Sequence, residues 1–106
     1  MVVYLISSEI NNDILYKIGI TKRDVNERLK QLKTGNPAEL TVVTTFESKW
    51  ATKIEANLHK RYTHVSGEWF RLDLKEVEDF LNVCKLVHDN FELIYTTNTW
   101  YLDKKN

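Results

Sequence analysis

The chain has 106 residues, which is enough for one domain with a hydrophobic core and too few for two. Fifteen basic and fifteen acidic residues cancel, so any nucleic-acid contact must come from a local basic patch and not from bulk charge. One cysteine excludes a disulfide framework and a cysteine-built zinc site. No apolar run reaches membrane-spanning length, and the first residues lack the basic leader of a signal peptide. The expected location is cytoplasmic, with no membrane partner.

Val2 to Ile6 is a β-branched and aromatic run that stops at Ser7-Ser8 and a polar stretch, Glu9 to Asp13. It predicts a strand and a turn, with Ile14 to Ile20 as the hairpin partner. Both runs are nearly continuous in apolar residues, which predicts strands covered by helices on both faces. Asp24-Val-Asn-Glu27 has the form of a capping box. The helix it opens carries Val25, Leu29 and Leu32 on one stripe, and it should end near Gly35, with Pro37 beyond.

Leu40 to Glu47 predicts a third strand, with Leu40, Val42 and Phe46 alternating, and Ser48 is placed to cap the next helix. That helix, Trp50 to Tyr62, puts Ala51, Ile54, Leu58 and Tyr62 on its inner stripe. Gly67 to Leu72 is a turn and a short extended segment. Asp73-Leu-Lys-Glu76 is a second capping box, opening a helix to about Asp89. Its stripe is Val77, Phe80, Leu81, Cys84 and Val87 or His88, with Cys84 as a small buried thiol. Phe91 to Tyr95 and Trp100 to Leu102 predict two short strands around Thr96 to Thr99. The order is that of an α+β layer fold. One domain is expected over 1–106, with a core over about 2–80 and an extension over 81–106.

Three charged residues stand where these patterns call for apolar ones. Lys17 interrupts the second strand, Arg28 sits between Val25 and Leu29, and Glu55 lies at the edge of the Ile54–Leu58 stripe. Tyr4 joins them, because a buried hydroxyl needs a partner. A carboxylate turned toward a core costs several kcal/mol, by order of magnitude, unless it is paired or holds a cation. One explanation is structural: Arg28 and Glu55 form an internal ion pair, Lys17 snorkels, and Tyr4 is core.

The other explanation starts from a resemblance. Val2-Val-Tyr4, Lys17-Ile-Gly19, Arg28 and the segment Ile54-Glu55 to Leu58-His59 occur in the order and spacing of the GIY-YIG endonuclease superfamily. Gly67-Glu-Trp-Phe70 also resembles its small phage and bacterial branch. Val2 replaces the first motif's glycine, and Lys17 replaces the second motif's tyrosine, as in some restriction enzymes of the superfamily. The resemblance implies a small central antiparallel three-stranded sheet flanked by helices, with the C-terminal helix and short strands added.

It further implies a metal-dependent DNA endonuclease. In that reading Glu55 holds Mg²⁺ or Mn²⁺, Arg28 a phosphate oxygen, and Tyr4 assists deprotonation of the attacking water beside Lys17. His59, one turn beyond Glu55, could touch the metal, a phosphate or a proton in transit. His64 and His88 are expected to be structural. Trp69 and Phe70 are expected in the core, with base stacking the lesser role for Trp69. Lys22 and Arg23 with Lys30 and Lys33 on the first helix, or Lys53, Lys60 and Arg61 on the second, could form the basic patch. So small a nuclease has no separate specificity domain, so selectivity would come from loops, a homodimer or an accessory partner. The alternative is a non-catalytic nucleic-acid-binding or protein-interaction module on the same scaffold.

Overall fold

In a computed structural model of the chain, residues 1–33 and 39–105 are described, with side chains to residue 96. The expected helix end at Gly35 and Pro37 lies outside the described residues. β1 (Val2–Ile10) and β2 (Asp13–Thr21) form a hairpin joined by Asn11 and Asn12. Both asparagines have positive φ, 52° and 66°. Asn tolerates this region better than other side chains, and it matches the twist of a two-residue hairpin turn. The strands are longer than the apolar runs, because Ser7, Ser8 and Glu9 continue the ladder.

β3 (Leu40–Glu47) pairs with the other edge of β1. α2 (Ala51–Arg61) leads into β4 (Thr63–Ser66) and β5 (Trp69–Arg71), and β5 joins β2. The sheet is therefore five-stranded and antiparallel, in the order β3-β1-β2-β5-β4. The two short strands extend the expected three-stranded sheet at its β2 edge.

Helices cover both faces, as the apolar runs require. On one face Val3, Leu5, Ile18 and Phe70 pack against Ala51, Ile54 and Leu58 of α2 and against Tyr62, which follows it. Phe80, Cys84 and Val87 of α3 (Leu74–Lys105) close that core. On the other face Tyr4, Ile6 and Leu40 meet Val25, Leu29 and Leu32 of α1 (Val25–Lys33). β3 departs from its expected alternation. Leu5 is opposite Thr44 while Ile6 is opposite Val42, so Val43 is an extra residue in the ladder. One inserted residue exchanges the faces of a strand. Leu40 and Val42 accordingly face α1, and Phe46 faces the α2–α3 core.

The caps divide the same way. Asp73 and Glu76 form the full reciprocal box, Asp73 N–H to Glu76 at 3.0 Å and Glu76 N–H to Asp73 at 2.8 Å. Asp24 accepts from the Asn26 N–H at 2.7 Å, with no reciprocal bond from Glu27 among the described residues. Ser48 is not the N-cap of α2, a position that Trp50 holds. Its hydroxyl accepts from the Trp50 N–H at 2.9 Å and pairs with His88 Nδ1 at 2.7 Å, tying the start of α2 to α3. His64 Nε2–H donates to the Gly67 carbonyl, in a turn where Gly67 has φ +57°. Both histidines thus have the structural roles expected of them.

The tail is helical, not two strands: α3 runs from Leu74 to Lys105. Phe91 lies one turn after Val87 and joins the core, and Tyr95 stacks on Trp50 with centroids 4.7 Å apart. Packing on α2 overrides the local strand preference of Phe91 to Tyr95. Leu81 leaves the expected stripe and is 44% exposed, whereas Phe80 is fully buried. Among the described residues no helix is long and apolar enough to cross a membrane.

The two neighbours give a direct check of the packing. Phe80→Ala should lower stability by about 3–5 kcal/mol in urea unfolding, and Leu81→Ala by no more than about 0.5 kcal/mol.

A notch at the end of the β2–β5 ladder as candidate functional site

β2 has nine residues and β5 three. Their ladder joins only Tyr16 to Phe70 and Lys17 to Trp69. Beyond Lys17 the edge of β2 has no strand beside it among the described residues, which leaves a notch where groups from both faces of the sheet can meet. His59 of α2 enters it and donates Nε2–H to the Ile18 carbonyl at 2.8 Å, with its ring 4.8 Å from that of Phe70. A carbonyl only accepts, so the bond places the His59 proton on Nε2 and leaves Nδ1 for other partners. His59 therefore replaces the missing strand at one position.

Lys17 lies on the α1 face, opposite Ile6 and Trp69. Its side chain is 12% exposed and forms an ion pair with Glu68. Its ammonium also stands 5.6 Å from the Trp69 ring centroid. Two residues along the same face is Gly19, opposite Tyr4. A Cβ added at Gly19 would come 2.5 Å from Tyr4 Cζ, so only glycine lets the ring lie flat on β2. Tyr4 is 1% exposed.

Arg28 is half-buried on α1, and its Nη1 donates to Gln31 at 3.2 Å. Among the described residues it makes no ion pair with Glu55. The internal Arg28–Glu55 pair is therefore not how this fold accommodates the two charges, because α1 and α2 lie on opposite faces of the sheet. Arg28 instead lies in the field of Glu68.

Glu55 is half-buried on α2, with no hydrogen bond or ion pair among the described residues. Burial raises its pKa, His59 opposes the shift, Glu68 adds to it and Lys17 opposes it. Glu68 shifts the other way. The hydrogen bond from Lys17 is the main cause of its lowered pKa, with His59 and Arg28 contributing charge. The two carboxylates and Lys17, His59 and Arg28 thus share one electrostatic neighbourhood.

No sequence pattern singles out Glu68. It lies in a turn, outside any periodic pattern, and its one sequence signal was membership of Gly67-Glu-Trp-Phe70. Trp69 packs against the α1-side cluster and Phe70 is core, as expected.

The opposed shifts have opposite consequences for stability. The folded state holds the Glu55 proton more tightly than the unfolded chain, so the stability this gives exists below the ordinary carboxylate pKa. It is lost as pH rises through the raised value. Glu55→Gln should therefore melt no lower than the parent at neutral pH, the two converging in acid, by calorimetry across pH. Gly19→Ala must displace the Tyr4 ring, and should lower stability by about 1–3 kcal/mol in urea unfolding.

The T5orf172 domain model matches residues 1–92, which include every residue of the notch. No curated protein and no solved structure matches the chain. With most of its length covered by that model, the chain belongs to the T5orf172 domain family.

Proposed function

We propose that the chain is a divalent-metal-dependent endonuclease of GIY-YIG type that hydrolyses DNA phosphodiester bonds at the notch. The observation that supports this most is Glu55: a half-buried carboxylate, unpaired among the described residues, whose charged form is disfavoured by burial and by Glu68. A bound cation would relieve both effects. No group of three or more His, Cys, Asp or Glu is gathered among the described residues. Mg²⁺ is the cation proposed, because it keeps most of its waters and takes one or two carboxylates. Glu55 would hold the ion, with Glu68 the next carboxylate.

When bound, the metal supplies Lewis-acid stabilisation of charge on the phosphoryl and leaving oxygens. The protein's own groups do the rest. Arg28 holds a phosphate oxygen through its planar fork. Tyr4 assists deprotonation of the attacking water, and Gly19 is the position that lets its ring lie against β2. Lys17, held by Glu68, places positive charge beside the reacting phosphate. His59 fixes α2, and hence Glu55, to the open edge of β2 through the Ile18 carbonyl.

A second reading keeps the scaffold and drops the chemistry: a nucleic-acid-binding module without hydrolysis. Two observations favour it. Lys17 is already paired with Glu68, and Tyr4 is 1% exposed.

Cleavage of supercoiled DNA with Mg²⁺ or Mn²⁺ separates the two. Nicking by the parent, lost by about 100-fold or more in Glu55→Gln and in Arg28→Ala while both stay folded, is the expected result. Pure parent protein that binds DNA but leaves it uncut with either metal would overturn the nuclease reading in favour of the binding module.

A further inference from the structure

The flank of α2 turned away from Glu55 carries a different surface. Lys53, Ala56, Asn57 and Lys60 line a groove of about 200 Å³ together with Phe91 of α3. Lys53, Asn57 and Lys60 follow i, i+4, i+7 spacing and so form one stripe. Seven residues of helix set the Lys53 and Lys60 backbone positions about 10.5 Å apart along the axis. That span covers about three nucleotides of a strand at its usual rise.

The cation at one end is held in place. Lys53 Nζ lies 5.2 Å from the Tyr95 ring centroid and 6.0 Å from that of Phe91. The rings restrain the long side chain without neutralising it, so less freedom is given up when an anion arrives. Among the described residues no carboxylate pairs with Lys53 or Lys60. Lys49 differs, for Glu92 neutralises it at 2.8 Å. Tyr95 in turn stacks on Trp50, so flat aromatic surface borders the cations. The next cleft along the same two helices is lined by Asp73, Glu76 and Asp79 as well as Arg61 and Lys75, so its positive charge is offset within the cleft. In a chain of zero net charge, the stripe is a local positive site with a defined end.

We propose that this groove is a backbone-binding track for a nucleic-acid strand, separated from the notch by the width of α2. The partner class rests on the function proposed above, while the location rests on the α2–α3 groove alone. In a nuclease the track would hold the strand flanking the scissile phosphate, so it would govern affinity and not the chemical step.

The test is binding of a short labelled duplex in EDTA over a salt series, comparing the parent with the K53Q/K60Q double variant. Removing one lysine–phosphate interaction should reduce the slope of log K against log salt by about 0.9, so removing the pair should reduce it by about 1.8. K75Q/K85Q, two exposed lysines elsewhere on α3, should leave the slope unchanged. Equal melting temperatures exclude misfolding as the cause. An unchanged slope in K53Q/K60Q, equal reductions in both double variants, or no binding at low salt would each overturn the track. Absence of cleavage with metal, alongside binding that depends on Lys53 and Lys60, would overturn only the nuclease reading.

Discussion

β1 is paired on both edges and covered on both faces, and the rest of the molecule takes its position from it. Val3, Leu5 and Ile6 are fully buried and Tyr4 nearly so. Alternating side chains send Val3 and Leu5 toward α2 and α3 and Tyr4 and Ile6 toward α1. A strand enclosed in this way must send any functional side chain into a helix–sheet layer. Tyr4 goes into the α1 layer, and the absence of a side chain at Gly19 makes room for it.

The notch follows from unequal strand lengths. Because β5 is short, the edge of β2 after Lys17 is left without a neighbouring strand among the described residues, and α2 reaches it through His59. Lys17 and Arg28, from the α1 side, then share one electrostatic neighbourhood with Glu55 and His59, from the α2 side. Glu68 links them. It pairs with Lys17, draws on Arg28 and repels Glu55. A fold selected for stability alone gains little from two carboxylates so placed, because burial and mutual repulsion both disfavour the ionised form of Glu55. Strained electrostatics of this kind are common at functional sites.

α2 therefore has three distinct surfaces. Its inner stripe, Ala51, Ile54 and Leu58, holds the core. One flank carries Glu55 and His59 to the notch, and the other carries Lys53 and Lys60 to the groove with α3. One rigid helix therefore keeps a fixed spacing between the Glu55–His59 flank and the Lys53–Lys60 flank.

Much of this was legible in the chain. Period-two and helical patterns placed all three main strands, the inner stripes of α1 and α2, and the buried Phe80 and Cys84, because burial of a regular element imposes its own repeat. The Asp73–Glu76 box was legible because its partners are three residues apart. Lys17, Arg28 and Glu55 were legible as misplaced charges, since a polar residue on an apolar stripe is costly and conspicuous. Their partners were not. An Arg28–Glu55 pair satisfied the sequence, but the sheet lies between the two helices. The Lys17–Glu68 pair joins residues 51 apart in sequence, through a turn with no periodicity. The bulge at Val43, the continuation of α3 through Phe91 and the exposure of Leu81 also depend on neighbours distant in sequence. By itself the sequence determined which residues needed a buried face and which were out of place on it, because local repeats encode burial. Tertiary structure alone decided which charges meet, because strand lengths, register and helix placement are set by packing between distant segments.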